Sequence, residues 1–126
     1  MAEGKVVGVG TDLVEIDRLS RSLRRSAFVK EVFTESERVD CQARAFPAQH
    51  FAARFAAKEA FLKAIGKGIF AGVALNEIEV VGEKGGEPKL RLGESAMKAL
   101  ETRGGTSALL SLSHSGNLAM AFVVVQ

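Results

Sequence analysis

The chain has 126 residues, with 17 basic and 15 acidic side chains, a net charge of +2, and 47% hydrophobic and 25% charged content. No apolar run approaches the ~20 residues that a bilayer span needs, and the small net charge, with neither tryptophan nor tyrosine, argues against nucleic-acid binding through a basic surface or base stacking. The single cysteine, Cys41, cannot form an internal disulfide, and the first residues lead into strand-like sequence rather than a signal peptide, so one cytoplasmic domain over residues 1–126 is expected.

Residues 5–13 read as a strand, with Val7, Val9 and Thr11 on one face and Val6, Gly8, Gly10 and Asp12 on the other. That second face carries little side chain and ends in an acid. Residues 16–33 have helical character with a break near Ser26, and this segment gathers Arg18, Arg21, Arg24, Arg25 and Lys30. Thr34 and Glu37 have the spacing of a capping box that opens another short helix. Pro47 suits a first helical position. A long central helix follows over residues 49–65, closed by Gly66 and Gly68, two candidate phosphate cradles. Residues 78–81 and 88–92 form short strands around a polar turn with Gly85 and Gly86. Residues 94–102 form a helix ending at Gly104, and strands 107–114 and 118–125 are joined through Ser115, Gly116 and Asn117. The order predicts an α+β fold, a mostly antiparallel sheet packed on one long helix.

Three polar anomalies interrupt this pattern. On the central helix, Phe51, Phe55, Leu62 and Ile65 define an apolar stripe, yet Lys58 falls inside it and Glu59 at its edge. Asp12 ends the glycine-spaced strand, and His114 continues the Leu110 and Leu112 side of another. Buried charge needs a partner. Asp12 and Glu59 lie on different elements, and two carboxylates brought together repel unless a cation lies between them, which points to Mg²⁺ completing its shell with phosphate oxygens. Arg54, Lys58, Lys63 and Lys67 supply countercharge for those phosphates.

Three blocks, GVGTDLVEIDRL at residues 8–19, FAARFAAKEAFLKAIGKGI at 51–69 and LSLSHS at 110–115, resemble the signature blocks of the holo-acyl-carrier-protein synthases, the small bacterial 4′-phosphopantetheinyl transferases. The resemblance implies Mg²⁺-dependent transfer of the phosphopantetheine arm of coenzyme A to a serine of an apo acyl carrier protein, releasing adenosine 3′,5′-bisphosphate. On the matching positions it implies Asp12 and Glu59 as metal ligands, with Asp12, Glu59 and Lys63 as the catalytic group. Lys58 and Lys63 would act on the phosphate oxygens, and Arg54, Gly66, Ser113 and His114 would line the coenzyme pocket. Arg18, Arg21, Arg24 and Arg25 would dock the acidic carrier. It further implies a homotrimer with active sites between subunits. The serine's proton acceptor stays open between Glu59, Asp12 and a metal-bound water. Leu62 departs from the small polar residue common at that position in the family. A carrier-binding module without turnover and a Mg²⁺-dependent phosphoanhydride hydrolase are the competing readings.

Overall fold

The computed structural model describes residues 4–67, 72–82 and 86–126, so Gly68 and Gly85 lie outside the described residues. Strand β1 (Gly8–Glu15) runs into helix α1 (Ile16–Ser22), followed by α2 (Ser26–Val32), α3 (Glu35–Gln42) and the long α4 (Pro47–Ala64). A 3₁₀ turn (Leu75–Glu77) leads into β2 (Ile78–Gly82) and β3 (Pro88–Leu92). Helix α5 (Glu94–Thr102) and the hairpin β4 (Ala108–Ser115) and β5 (Leu118–Val125) complete the order. The expected break near Ser26 falls between α1 and α2. The capping box forms fully, Thr34 Oγ1 accepting from the Glu37 backbone while the Glu37 carboxylate accepts from the Thr34 N–H.

The strands divide between two antiparallel sheets, β1-β5-β4 and β2-β3. Helix α4 is encased rather than one-sided: Ala52, Ala56, Ala57, Ala60, Phe61, Leu62 and Ala64 are all buried, so its apolar surface exceeds the single stripe the sequence suggested. Leu62 joins this core. No described helix is long and apolar enough to cross a membrane.

The two glycines of β1 explain how α4 meets the larger sheet. A Cβ on Gly8 would stand 1.9 Å from the Ala64 carbonyl oxygen, and one on Gly10 2.0 Å from that of Ala60. Two strand residues advance about 6.7 Å and four helical residues about 6.0 Å, so glycine and alanine rungs stay in step. The next residue on that strand face is Asp12. The opposite face of this sheet is apolar and uncovered: Val9 and Leu13 on β1, Met120 and Phe122 on β5 and Leu109 on β4 are all exposed.

Helix α5 shows a remote cap. Its N-cap residue, Gly93, makes no side-chain cap, and Glu77 Oε1 instead accepts from the Ser95 N–H and hydroxyl, both at 2.8 Å. These bonds favour the ionised carboxylate and hold Glu77 below its ordinary value of 4.5. The contribution is therefore present above the unfolded-state value and is lost as pH falls through the lowered folded one. Urea midpoints of the wild type and Glu77→Gln should differ at pH about 6 and converge near pH 3; a constant gap would show that charge is irrelevant to the cap.

Candidate active site

The strand β1 and helix α4, locked together at Gly8 and Gly10, bring Asp12, Glu59 and Lys63 to one place. Lys63 Nζ donates to Asp12 Oδ1 at 2.9 Å and to the Thr11 carbonyl at 3.0 Å. The lysine side chain is 55% exposed and the aspartate 14%, so the pair sits at a surface with its acid recessed. Glu59 stands half-buried beside them. Burial, then the Asp12 charge, pushes its carboxyl above the ordinary range, and Lys63 only partly opposes this. The site thus holds two acids and one base, with negative charge left over.

Asp12 and Glu59 open into a cavity of about 370 Å³ lined also by Glu15, Arg18, Ser22, Phe28 and Phe55. Arg18 and Arg21 lie on α1, Arg24 and Arg25 in the turn after it, and all four are exposed. The Arg25 guanidinium lies 5.5 Å from the Phe28 ring centre. Among the described residues none of these arginines pairs with a carboxylate. Of these four arginines, Arg18 lines the acidic cavity.

Lys58 requires a correction. Its ammonium is fully buried and donates to Glu37 Oε1 at 2.7 Å, to the Ile78 carbonyl at 2.7 Å and to the Leu75 carbonyl at 3.1 Å. Those three acceptors use all three of its protons, which leaves none for a phosphate. Burial lowers the Lys58 pKa and Glu37 works against that shift. Lys58 ties α4 to α3 and β2 and is not a coenzyme-pocket residue of this fold. Gly66 is likewise explained by folding: at φ +72° it ends α4, with the Lys67 N–H reaching the Leu62 carbonyl at 2.8 Å. It does not line the Asp12 cavity.

The remaining expected pocket residues lie elsewhere on the protomer. Arg54 is buried, forms an ion pair with Asp40, and has an Nε with no hydrogen-bond partner. At 100° per residue, Arg54 and Glu59 project about 140° apart around α4. Ser113 and His114 sit on β4, separated from β1 by β5 and hence by about 10 Å of sheet. They alternate in direction. Ser113 pairs with exposed Met120 on the uncovered face, and His114 pairs with buried Ala119 on the helix side. His114 is electrostatically coupled to His50, one turn before Arg54, as are Arg44 and Asp40. His50 and Arg44 escaped the sequence reading because neither interrupts a periodic pattern; the turn spacing of His50 to Arg54 was the one available hint.

The matching family model, described as the 4′-phosphopantetheinyl transferase superfamily, spans residues 8–123. The chain belongs to this superfamily. Within it, the chain is 49% identical over 123 residues to the holo-[acyl-carrier-protein] synthase of Syntrophus aciditrophicus strain SB, covering 96% of each protein. The crystal structure of the holo-[acyl-carrier-protein] synthase from Neisseria meningitidis superposes with a TM-score of 0.86 at 34% identity, over 96% of this chain and 98% of that one. The Bacillus anthracis holo-(acyl-carrier-protein) synthase, in complex with CoA (3′,5′-ADP), gives 0.79 at 34% identity, over 95% and 96%. This transferase chain therefore has near-full-length likeness to synthases of one kind, and the α+β expectation, with antiparallel strands about a long helix, agrees with those folds.

Proposed function

We propose that this chain is a holo-[acyl-carrier-protein] synthase that transfers the 4′-phosphopantetheine of coenzyme A to a serine of apo acyl carrier protein. The observation that carries the reading is the Asp12–Lys63 ion pair beside Glu59, with Asp12, Glu59 and Arg18 lining one cavity. Two carboxylates facing a cavity with a raised Glu59 are an incomplete donor set, which suits Mg²⁺, an ion that keeps water and accepts phosphate oxygens as ligands. When bound, Mg²⁺ would neutralise the diphosphate and supply Lewis-acid catalysis.

The chain's own residues divide the rest. Asp12 and Glu59 would hold the ion. Lys63, half-exposed, would exchange its bond to Asp12 for one to a phosphate oxygen and offset charge on the leaving bisphosphate. Glu59, Asp12 or a water on the ion would accept the serine proton. Arg18, Arg21, Arg24 and Arg25 would seat the acidic carrier so that its serine enters over Phe28 and Phe55.

Coenzyme A carries a diphosphate and a further ribose phosphate, and one protomer presents its acidic and its basic groups on divergent faces of α4. A homotrimer with each site between two subunits resolves this: Asp12, Glu59 and Lys63 of one protomer would meet Arg54, Ser113 and His114 of the next. The uncovered apolar face of the β1-β5-β4 sheet is the surface such an assembly would bury. We place the enzyme in the cytoplasm, with the coenzyme and the carrier as its partners.

The test is intact-mass analysis of an apo acyl carrier protein incubated with this protein, coenzyme A and Mg²⁺. A gain of one phosphopantetheine that chelation abolishes is expected; consumption of coenzyme A without modification of the carrier would establish a hydrolase instead. Reversing charge at Arg18 and Arg25 together should raise the carrier KM roughly tenfold while leaving the coenzyme KM within about twofold, and added salt should reproduce the same asymmetry. Equal effects on both substrates would remove the arginines from carrier docking.

A further inference from the structure

The basic cluster at the start of α4 contains a residue to which no role has yet been given. His50 and Arg54 lie one turn apart on α4, and Arg54 is ion-paired to Asp40 of α3. Asp40 also pairs with Arg44 at 3.4 Å. The cluster is closed by β2, where a Cβ on Gly82 would lie within 3.7–3.8 Å of the Arg44 and Arg54 guanidinium groups and of the Asp40 carboxylate. His114 of β4 faces it from the sheet. Among the described residues, the charged and titratable groups acting on His50 are therefore Asp40, Arg44, Arg54 and His114.

Two features point to an anionic occupant. Arg54 is 4% exposed, yet its Nε has no hydrogen-bond partner, and a buried unpaired donor is costly to leave unmet. The charge count is the second. Arg44, Arg54 and Asp40 sum to +1, while a phosphate monoester is a dianion above pH about 6. Seating one would leave the cluster one positive charge short. The half-buried His50 is the adjustable group. In the free protein burial, followed by Arg44 and Arg54, holds its imidazole below the ordinary 6.5, Asp40 alone pulling upward. An incoming dianion reverses the balance.

We propose that His50 is a coenzyme-binding residue: a phosphate monoester seated against Arg44 and Arg54 draws a proton from solvent onto the His50 imidazole, coupling coenzyme binding to proton uptake. This rests on the synthase reading, in which the basic cluster takes the ribose phosphate. No bond beyond that to the proton is made or broken, and the proton returns to solvent when the bisphosphate leaves.

The chain has two histidines, His50 and His114, so the imidazole Cε1 protons give two nuclear magnetic resonance signals, one per residue, assigned by His50→Gln. They are followed from pH about 5 to 8, across the normal imidazole range, in the full-length protein with and without adenosine 3′,5′-bisphosphate. The His50 midpoint is expected to lie low in the free protein and to rise by about one unit on saturation, which corresponds to roughly tenfold tighter binding at the acid limit than at the alkaline limit. The ligand's own second ionisation weakens binding on acidification in both proteins, so the quantity read is the difference between the wild type and His50→Gln. Ligand binding with an unmoved His50 midpoint, or the same pH dependence in His50→Gln, would overturn the proposal while leaving the synthase reading intact. No binding of the bisphosphate, together with no modification of an acyl carrier protein, would overturn both.

Discussion

Replacing Lys58 by methionine should cost this fold roughly 3–5 kcal/mol, the largest loss expected from any single side chain here. The volume is nearly conserved and α4 keeps a good helix former, so the effect isolates the charge. Without the ammonium, Glu37 would remain a carboxylate at 1% exposure, its remaining hydrogen bonds among the described residues being those from the Thr34 N–H at 3.0 Å and the Val80 N–H at 2.9 Å. The Ile78 and Leu75 carbonyls would lose their donor in the same step. Natural domains have only about 5–15 kcal/mol in hand, which puts the variant near the edge of stability. Because the chain has no tryptophan or tyrosine, the check is urea unfolding followed by far-ultraviolet circular dichroism. Adding Glu37→Gln should recover part of the loss by removing the stranded charge. The recovery must be partial, since a glutamine has one acceptor oxygen for two N–H groups. A loss below about 1 kcal/mol in the single variant would mean that water or rearrangement satisfies Glu37, and the buried pair would then be dispensable.

Glu59→Gln is expected to lower turnover by roughly 10²–10³-fold with little change in stability. Glutamine keeps the size and the half-buried position but removes the negative charge that would hold Mg²⁺ and one of the three groups open to the serine proton. The dissociation constant for Mg²⁺, measured by titrating activity against the free ion, should rise as well. The stability prediction has its own reason: the Glu59 carboxylate makes no hydrogen bond among the described residues, and it is already disfavoured by burial and by Asp12, so removing its charge relieves strain rather than creating it. Turnover within about threefold of the wild type would take Glu59 out of the chemistry and leave Asp12 with Lys63 as its centre.

These two expectations concern neighbours in sequence, and they show what the sequence could and could not reveal. Periodicity was enough to place Lys58 inside a buried surface, since that depends only on the angle between successive residues. It could not name the partner. Glu37 was visible as the last member of a capping box, a local role, and its carboxylate serves the cap and the buried ammonium together across 21 positions of chain. Local patterns do not report such pairings. Asp12 and Glu59 were legible as acids interrupting their own elements, one ending a strand face of small residues and the other at the edge of an apolar helix stripe. Within one chain Arg54 and His114 do not line the Asp12 cavity, for geometrical reasons. A helix surrounded on all sides can direct adjacent residues to unrelated neighbours, and opposite edges of a sheet stay apart whatever their motif spacing. The division of the strands between two sheets also lay beyond alternation patterns, which fix faces and not neighbours.

The contact of Gly8 and Gly10 with Ala64 and Ala60 has a consequence for how the protein tolerates change. Elsewhere, layers are held apart by side chains, and a substitution that alters volume lets them drift. Here main chain rests on main chain, and the spacer between the elements bearing Asp12 and Glu59 has no rotamers to adjust. Drift in the packing around Leu100 or Ile78 can erode the margin against unfolding without detuning the separation of the carboxylates. Stability and catalytic alignment are thereby set by different atoms, and this lineage is free to vary one while the other stays fixed.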